Sequence, residues 1–473
     1  MAKESSAWRG YLTIASIAVA SRVATVIWTA LAHHFISDYD TATELMFGEH
    51  PPSAGIAGRL LDTFVLPLVR WDALFFLSIA SDGYLYEHHH AFFPGLPLLM
   101  RTLSLPLLPS STTSARRLIA VVGVILSNGC FVSAAVGLLH LARQLANDGR
   151  TAFFAAALFC LPASSVFMSS LYTESAFCCC AFWGLALLYR RRVTGSSTWL
   201  GVLLLSAAAS LRSNGVLMLI PLLFFNVRTS PPVVPMCRGW DWRPLICFIG
   251  HWLRASLHAF IIVLPTALTL VYGFSVHCRG CAFQQDSWQS FVLRRADDIS
   301  GMIFPSSVHG HGHHYHCRPW CVQVVPSIYG FVQRQYWGVG PFLYFQLKQL
   351  PNFLLALPCL LMVTWAQGDT WKRTIAAAAG NGHHSTTVDW RLVGEAVQLA
   401  VLATFTVTCA NVQVLTRLVS SSPLLWLHQG RLLADSDVTM GRRGKWMASV
   451  WVGWSCVYFF VGPLMFGNFL PWT

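Results

Sequence analysis

Apolar residues recur along this chain in blocks separated by short polar connections, and a block of about 20 is the length that crosses a hydrocarbon core. Windows of that kind predict helices over residues 11–34, 118–140, 151–170, 174–190, 198–227, 255–275, 351–367, 393–428 and 447–468. Two of them exceed one span. The run 198–227 is interrupted by Arg212-Ser213-Asn214-Gly215, and the run 393–428 by Gln413, Thr416 and Arg417 before Pro423 closes it. Each reads as two segments meeting at a polar turn, which brings the count to about eleven. The Pro-rich stretch 91–109 is expected to lie in the interface or to re-enter, and is not counted as a span.

Composition narrows the class. Of 473 residues, 55% are hydrophobic and 11% charged, against about 25% charged in a soluble protein, and the mean hydropathy is +0.52. The chain is therefore a polytopic membrane protein, and the even spread of apolar blocks implies one membrane-embedded domain over residues 1–473. The first apolar stretch, 11–36, is too long for the apolar region of a cleaved signal and has no small-x-small site after it, so it is expected to stay as the first helix.

The net charge of +12 raises nucleic acid as a partner, but the basic residues sit in short connections rather than in a stripe, and topology explains them better. Eight of the 20 acidic residues fall between Ser37 and Phe93 (Asp38, Asp40, Glu44, Glu49, Asp62, Asp72, Asp82 and Glu87), where the basic residues are Arg59 and Arg70. That marks 37–117 as a first large non-cytosolic loop with interfacial helices. The positive-inside bias assigns Arg143, Arg150, Arg190-Arg191-Arg192, Arg228, Arg238, Arg243, Lys372-Arg373, Arg442, Arg443 and Lys445 to the cytosol. With a cytosolic N-terminus, the count then puts Tyr172-Thr173-Glu174-Ser175, the Arg212 turn, a second large loop over 276–350, and Arg417 on the same face as Asp72. No internal repeat is present; His88-His89-His90, Cys178-Cys179-Cys180 and Ala376 to Ala379 are short biases, the last placed in a polar loop.

Asp72 is the residue that most needs an explanation, because a carboxylate beside an apolar run is costly unless it is solvated, paired or useful. It suits a general base that takes a proton from an attacking hydroxyl; the structural alternative is an acid at a helix N-terminus. Trp71 beside it offers a stacking surface for a sugar. Tyr172 and Glu174 supply a second acid, with a tight turn capped by Thr173 or Ser175 as the bland reading. Arg212 and Arg417 are boundary cations suited to a phosphate through the planar guanidinium fork, with pairing to Glu174 or Asp72 as the competing explanation. Cys278, Cys281, Cys317 and Cys321, near His309, His311, His313, His314 and His316, superficially suggest zinc; disulfides, with three connectivities open, are favoured in an oxidising lumen. The other ten cysteines lie in or beside apolar runs.

These residues resemble a known family. Arg70-Trp71-Asp72-Ala73, Tyr84-Leu85-Tyr86-Glu87-His88 and Ala91-Phe92-Phe93-Pro94-Gly95 look like the first luminal loop of the PIG-V family. Tyr172-Thr173-Glu174-Ser175, Arg212-Ser213-Asn214-Gly215, the block from Ile328-Tyr329 and Gln333 through Tyr336-Trp337-Gly338 to Lys348 and Phe353, Val412-Gln413 to Arg417, and the C-terminal Asn468 to Thr473 follow in order. The resemblance implies an all-α glycosyltransferase of the GT-C type in the endoplasmic reticulum membrane. Its expected reaction moves mannose from dolichyl-phosphate-mannose to the 6-hydroxyl of the first mannose of the lipid-linked GPI precursor, with inversion, on the luminal side. It implies Asp72 as the catalytic base and Arg212, Lys348 or Arg417 as the phosphate holder. Trp71, Tyr336 and Trp337 would make sugar or prenyl contacts, and Tyr86, Glu87, His88, Tyr172, Glu174, Asn214, Gln333 and Gln413 complete the substrate-binding set. No cofactor or metal is expected; membrane lipids and a small membrane partner subunit are the expected partners. The runs of histidine are denser than the family pattern. A secondary transporter or a lipid scramblase is the alternative, and the former should show a repeated hydropathy pattern.

Overall fold

The computed structural model describes residues 2–47, 55–109, 111–146, 148–190, 194–231, 242–282, 288–290, 292–293, 317–379, 388–434 and 442–472. The five histidines from His309 to His316 lie outside these residues. Among the described residues the chain is all-helical, with no strand. Among the described residues six helices are long and apolar enough to cross a membrane, or seven if a pair bent by 119° before Asp72 is one span, rather than the expected eleven or so, and four shorter apolar helices accompany them.

The long helices are α1 (Ala2–Phe35), α6 (Thr112–Leu145), α11 (Arg243–His277), α13 (Leu350–Ala378), α14 (Trp390–Cys409) and α17 (Arg442–Gly467). Between them run α2 (Ala42–Phe47), α3 (Ile56–Phe64), α4 (Asp72–Asp82), α5 (Gly95–Ser104), α7 (Gly149–Phe159), α8 (Glu174–Leu188), α9 (Gly195–Leu211), α10 (Leu219–Thr229), α12 (Ile328–Trp337), α15 (Leu415–Leu418) and α16 (Pro423–Ala434). Helix α8 packs between α6 and α9, α9 against α11, α7 against α16, α10 against α14, and α1 against α17. The window 255–275 starts earlier than expected, and 351–367 runs on to Ala378, so Ala376 to Ala378 close a helix rather than lie in a loop.

The expected helix 151–170 is corrected by the structure. Its helix stops at Phe159, and residues 160–173 form consecutive turns. Pro162 and the polar run Ser164-Ser165-Ser169-Ser170, all buried, favour that irregular path, but backbone groups freed at such a depth need partners. Arg22 supplies some of them from α1: its Nη1 donates to the Ser165 carbonyl at 2.7 Å and to Ser169 Oγ at 3.1 Å. The guanidinium lies 3.9 Å over the Phe131 ring. A buried cation therefore supports a non-helical segment that leads straight to Tyr172 and Glu174.

The breaks expected at Arg212 and at Gln413 are present. Arg212 is extended (φ −152°, ψ 148°) between α9 and a 3-10 turn at Ser213–Met218. The turn requires Gly215, because a Cβ there would come within 2.4 Å of the Ala209 Cα. The second break runs through a 3-10 turn at Val412–Val414 into α15 and a further turn before Pro423.

The loop 276–350 is held by two disulfides, Cys278–Cys321 and Cys281–Cys317, which staple the end of α11 to the segment before α12. Of the three connectivities this is the one formed, and the four thiols are not a zinc set. Around them Phe274, Trp320, Ile328 and Val332 make a small apolar core separate from that of the helix bundle. Each bridge closes a loop of some forty residues, for which chain entropy predicts about 2–4 kcal/mol of stabilisation. Alkylation of these four cysteines should require prior reduction, so a maleimide-polymer gel shift that gains up to four increments after reductant, and loses them in a Cys278→Ser, Cys281→Ser, Cys317→Ser, Cys321→Ser chain, checks the staple.

Candidate active site

The site starts from Arg70, a side chain 2% exposed. Its Nε donates to the Gly467 carbonyl at 3.1 Å, Nη1 to Thr43 Oγ1 at 2.7 Å and to the Leu66 carbonyl at 3.0 Å, and Nη2 to Asp38 at 2.9 Å. The guanidinium also lies 4.7 Å over the Phe469 ring. One arginine thus joins α2, the turn after α3, the end of α17 and the C-terminal segment. It fixes the backbone immediately before Trp71, which sits at φ 54°, ψ −125°, a conformation that costs a side-chain-bearing residue about 1–3 kcal/mol and persists only when its surroundings impose it. This turn is the sharp bend between α3 and α4, and it presents Trp71 and Asp72 to a cavity.

Asp72 is the first residue of α4, where a carboxylate meets the positive end of the helix dipole. The helix-terminal reading and the cavity-facing reading are therefore one geometry. Its backbone N–H donates to the Tyr172 hydroxyl at 3.0 Å, and its carboxylate is 38% exposed and lies 3.9 Å from Arg417 Nη1. Behind it, Glu174 is fully buried. One oxygen, Oε1, accepts from Arg417 Nε at 2.7 Å and lies 3.0 Å from Arg212 Nη1. Arg417 is sandwiched against aromatic rings, 4.4 Å from Phe167 and 4.8 Å from Tyr172. Both arginines pair with Glu174, as the competing sequence explanation held, and both still reach the cavity wall, each 13% exposed.

The cavity encloses about 790 Å³. Of the expected site residues, Trp71, Asp72, Tyr172, Arg212, Asn214, Gln333, Trp337, Gln413 and Arg417 line it. They come from five separated parts of the chain. Glu174 stands behind the two arginines. Neither Thr173 nor Ser175 caps α8 by its side chain: Thr173 makes no capping bond, and Ser175 Oγ donates to the Met168 carbonyl at 2.6 Å. The turn reading is thus met in position but not in bonding.

Tyr86, Glu87, His88, Tyr336 and Lys348 are not brought to the cavity wall. Tyr86 and His88 stack on each other with centroids 5.5 Å apart, and His88 faces Tyr336 at 5.8 Å. Burial holds His89 down at about 4 and pushes His88 and His90 below the ordinary histidine value. That turn therefore places no histidine charge near the site at neutral pH. Lys348 is exposed in a 3-10 turn at Leu347–Gln349, because the chain there faces outward while Tyr344, donating to Gln413 Oε1, takes the inward position.

Several wall residues have no site role assigned from the sequence. Phe167 belongs to a window expected to be helix. Ser213 and Tyr329 meet across the cavity at 2.8 Å, and the pairing of two positions 116 residues apart is invisible to spacing. Arg70 belongs to the motif Arg70-Trp71-Asp72-Ala73, and its pairing with Asp38, 32 residues away, becomes visible in the fold.

A buried carboxylate that arms two arginines, next to a partly solvated carboxylate, is a site for an anionic leaving group beside a base. The family model described as Mannosyltransferase (PIG-V) matches residues 12–473. The chain belongs to that family and is a glycosyltransferase that moves mannose. Among its relatives, GPI alpha-1,6-mannosyltransferase 2 of Rattus norvegicus is 30% identical over 97% of this chain and 98% of that protein. The Homo sapiens protein of the same name is 29% identical over 96% and 97%, and GPI mannosyltransferase 2 of Drosophila melanogaster 26% over 97% and 99%. Among solved structures, the archaeal oligosaccharyltransferase AglB of Archaeoglobus fulgidus, in complex with an inhibitory peptide and a dolichol-phosphate, is 11% identical with a TM-score of 0.47. The match covers 96% of this chain and 56% of that one, so the chain spans about half its length.

Replacing Arg70 by Met keeps much of the side-chain volume but leaves Asp38 and three backbone or hydroxyl acceptors without their donor. The loss of a buried ion pair's partner costs about 3–5 kcal/mol, reduced here because Asp38 is 27% exposed. The expected result is a lower midpoint in detergent thermal unfolding together with loss of mannose transfer, whereas Arg59→Met, in an exposed turn of α3, should leave both unchanged.

Proposed function

We propose that this chain transfers mannose from dolichyl-phosphate-mannose to the 6-hydroxyl of the first mannose of the lipid-linked GPI precursor, on the luminal side of the endoplasmic reticulum membrane, as an inverting enzyme of the GT-C type. The observation that carries the reading is the Asp72 carboxylate on the wall of a cavity of about 790 Å³, 3.9 Å from an arginine that shares one buried glutamate oxygen with a second arginine. The names of the relatives supply the linkage and the pathway.

In the single displacement, the acceptor oxygen forms a bond to mannose C1 as the bond from C1 to the phosphate oxygen breaks, and the electron pair leaves on that oxygen. The acceptor proton goes to Asp72. The phosphate gains negative charge as it departs, so cations aimed at it stabilise the transition state more than the ground state. Arg417 and Arg212 occupy that place, and Glu174 keeps both oriented without spending them on solvent. One base and opposite anomers suffice, by the logic that separates inverting from retaining transfer. The organic leaving group is an anion that guanidinium groups bind directly, so the chemistry calls for no metal. Trp71 and Trp337 offer aromatic faces to the sugar, and Asn214, Gln333 and Gln413 offer amides to its hydroxyls. A small membrane partner subunit belongs to the same proposal, as an expectation from the family.

A transporter would use the same cations to hold a substrate without altering it; the match to the mannosyltransferase family over residues 12–473 favours the transferase. In microsomes lacking the native enzyme, Asp72→Asn should lower the rate of mannose transfer by about 10²–10⁴ with the protein present at normal level. Arg417→Ala should raise the apparent KM for the donor more than that for the acceptor. Asp72→Asn with transfer intact would sink the assignment of the base.

A further inference from the structure

Glu87 lies outside the cavity wall, 6% exposed, and is saturated with donors. Arg318 reaches it through Nη2 at 2.6 Å and Nε at 3.2 Å, Trp320 through Nε1 at 2.7 Å, and Tyr336 through its hydroxyl at 3.2 Å. A carboxylate accepts at about four lone-pair positions, and these four bonds occupy them. The side chain is thus ill placed to hold a sugar or take a proton. What it does hold is the stapled segment on one side and the last turn of α12 on the other.

Helix α12 is otherwise fixed at its two ends and along one face. Ser327 Oγ accepts from the Gly330 N–H at 3.1 Å at its start, and Gly338 ends it in the left-handed region at φ 62°. Ile328 and Val332 enter the apolar core formed by Trp320 and the Cys278–Cys321 bridge. From this frame Gln333 and Trp337 reach the cavity, and Trp337 meets the Phe92 ring edge-on at 5.9 Å. Gln333 lies one turn before Trp337, and Tyr336, the residue Glu87 grips, directly precedes it. The neighbouring wall residue Asn214 has a buried Oδ1 with no hydrogen-bond partner among the described residues. An amide, an aromatic face and an unmet carbonyl acceptor make a neutral surface, distinct in chemistry from Asp72, Arg212 and Arg417, and suited to an uncharged saccharide whose hydroxyls donate and whose C–H face packs on an indole.

We propose that Glu87 is a positioning residue for the acceptor glycan: its bonds to Arg318, Trp320 and Tyr336 set α12 so that Gln333 and Trp337 form the saccharide-binding part of the cavity. This rests on the mannosyltransferase reading and names which wall takes the acceptor. Full-length wild-type, Glu87→Gln and Tyr336→Phe chains are assayed in microsomes lacking the native enzyme, titrating the lipid-linked acceptor at saturating donor and then the donor at saturating acceptor. Glu87→Gln should raise the acceptor KM about tenfold, with kcat and the donor KM within about twofold; Tyr336→Phe, which removes one hydroxyl and no volume, should shift the acceptor KM in the same direction by less. A merely structural role would lower kcat through the active fraction and move neither KM. That outcome, or an acceptor KM unmoved in both variants of an active enzyme, overturns the assignment of Glu87 alone. A wild-type chain that transfers no mannose overturns the functional reading beneath it.

Discussion

One carboxylate oxygen of Glu174, shared by Arg212 and Arg417, is the contact on which the site depends. Two guanidinium groups from α9's end and from α15 repel each other, and each is costly to hold against a low-dielectric bundle. A fully buried acid between them offsets both costs and, because it comes from the first turn of α8, fixes where they stand relative to the helix core. Removing the acid would leave two like charges facing one small volume. Removing either arginine would leave Glu174 paired with the other and would take one cation from the cavity wall. The three groups therefore form one unit with a net positive charge, and its outward face carries the charge that the proposed mechanism uses.

The same logic explains why irregular backbone is concentrated around this unit. Turns at 160–173, at 212–218 and at 410–422 each interrupt a helix where the bundle would otherwise be regular. Each interruption exposes peptide groups that lipid cannot satisfy. Arg22 supplies donors to the first, and the left-handed Trp71 turn is imposed by Arg70, itself satisfied by four acceptors. The structural arginines and the reactive ones thus divide the labour. Arg22 and Arg70 hold non-helical chain in place, and that chain aims Asp72 at the cavity and leads to Glu174, which holds Arg212 and Arg417.

How much of this could be read from residues alone varies with the physics involved. Apolar block length located the six long helices but not the expected count of about eleven spans, and polar interruptions at Arg212 and Gln413 marked two true breaks, because charge inside an apolar run has few tolerable explanations. Parity of basic connections brought Asp72, Glu174, Arg212 and Arg417 to one end of the bundle, and the structure gathers all four within one site. The helix expected over 151–170 fails for a reason that hydropathy cannot register: serines are short enough to pass as apolar neighbours, while Arg22, far away on α1, supplies the hydrogen bonds that let the chain leave the helix. The roles of Glu87 and Tyr336 were hidden for a related reason. Both sit in strongly patterned blocks beside true cavity residues, and whether a side chain points into the cavity or away from it depends on contacts more than two hundred residues distant in the chain.

The stapled loop and the helix bundle make different demands on stability. The bundle's arginine–carboxylate unit is strongest where water is scarce. The loop that carries Gln333 and Trp337 has only a small core of its own, too small by itself to fix a ten-residue helix against solvent. Covalent bridges and a fully bonded carboxylate supply what that core lacks. On the proposed mechanism the cavity divides by origin: the charged groups that would act on the leaving phosphate come from the helix bundle, and two of the neutral groups that would meet the acceptor, Gln333 and Trp337, come from an element whose position is set by the staple and by Glu87. A wall built that way can be varied in sequence to suit a different glycan without disturbing the arginine pair, since among the described residues Gln333 and Trp337 share no hydrogen bond with Arg212 or Arg417, and the loop meets the bundle through the Ser213–Tyr329, Tyr344–Gln413 and Phe342–Thr408 contacts.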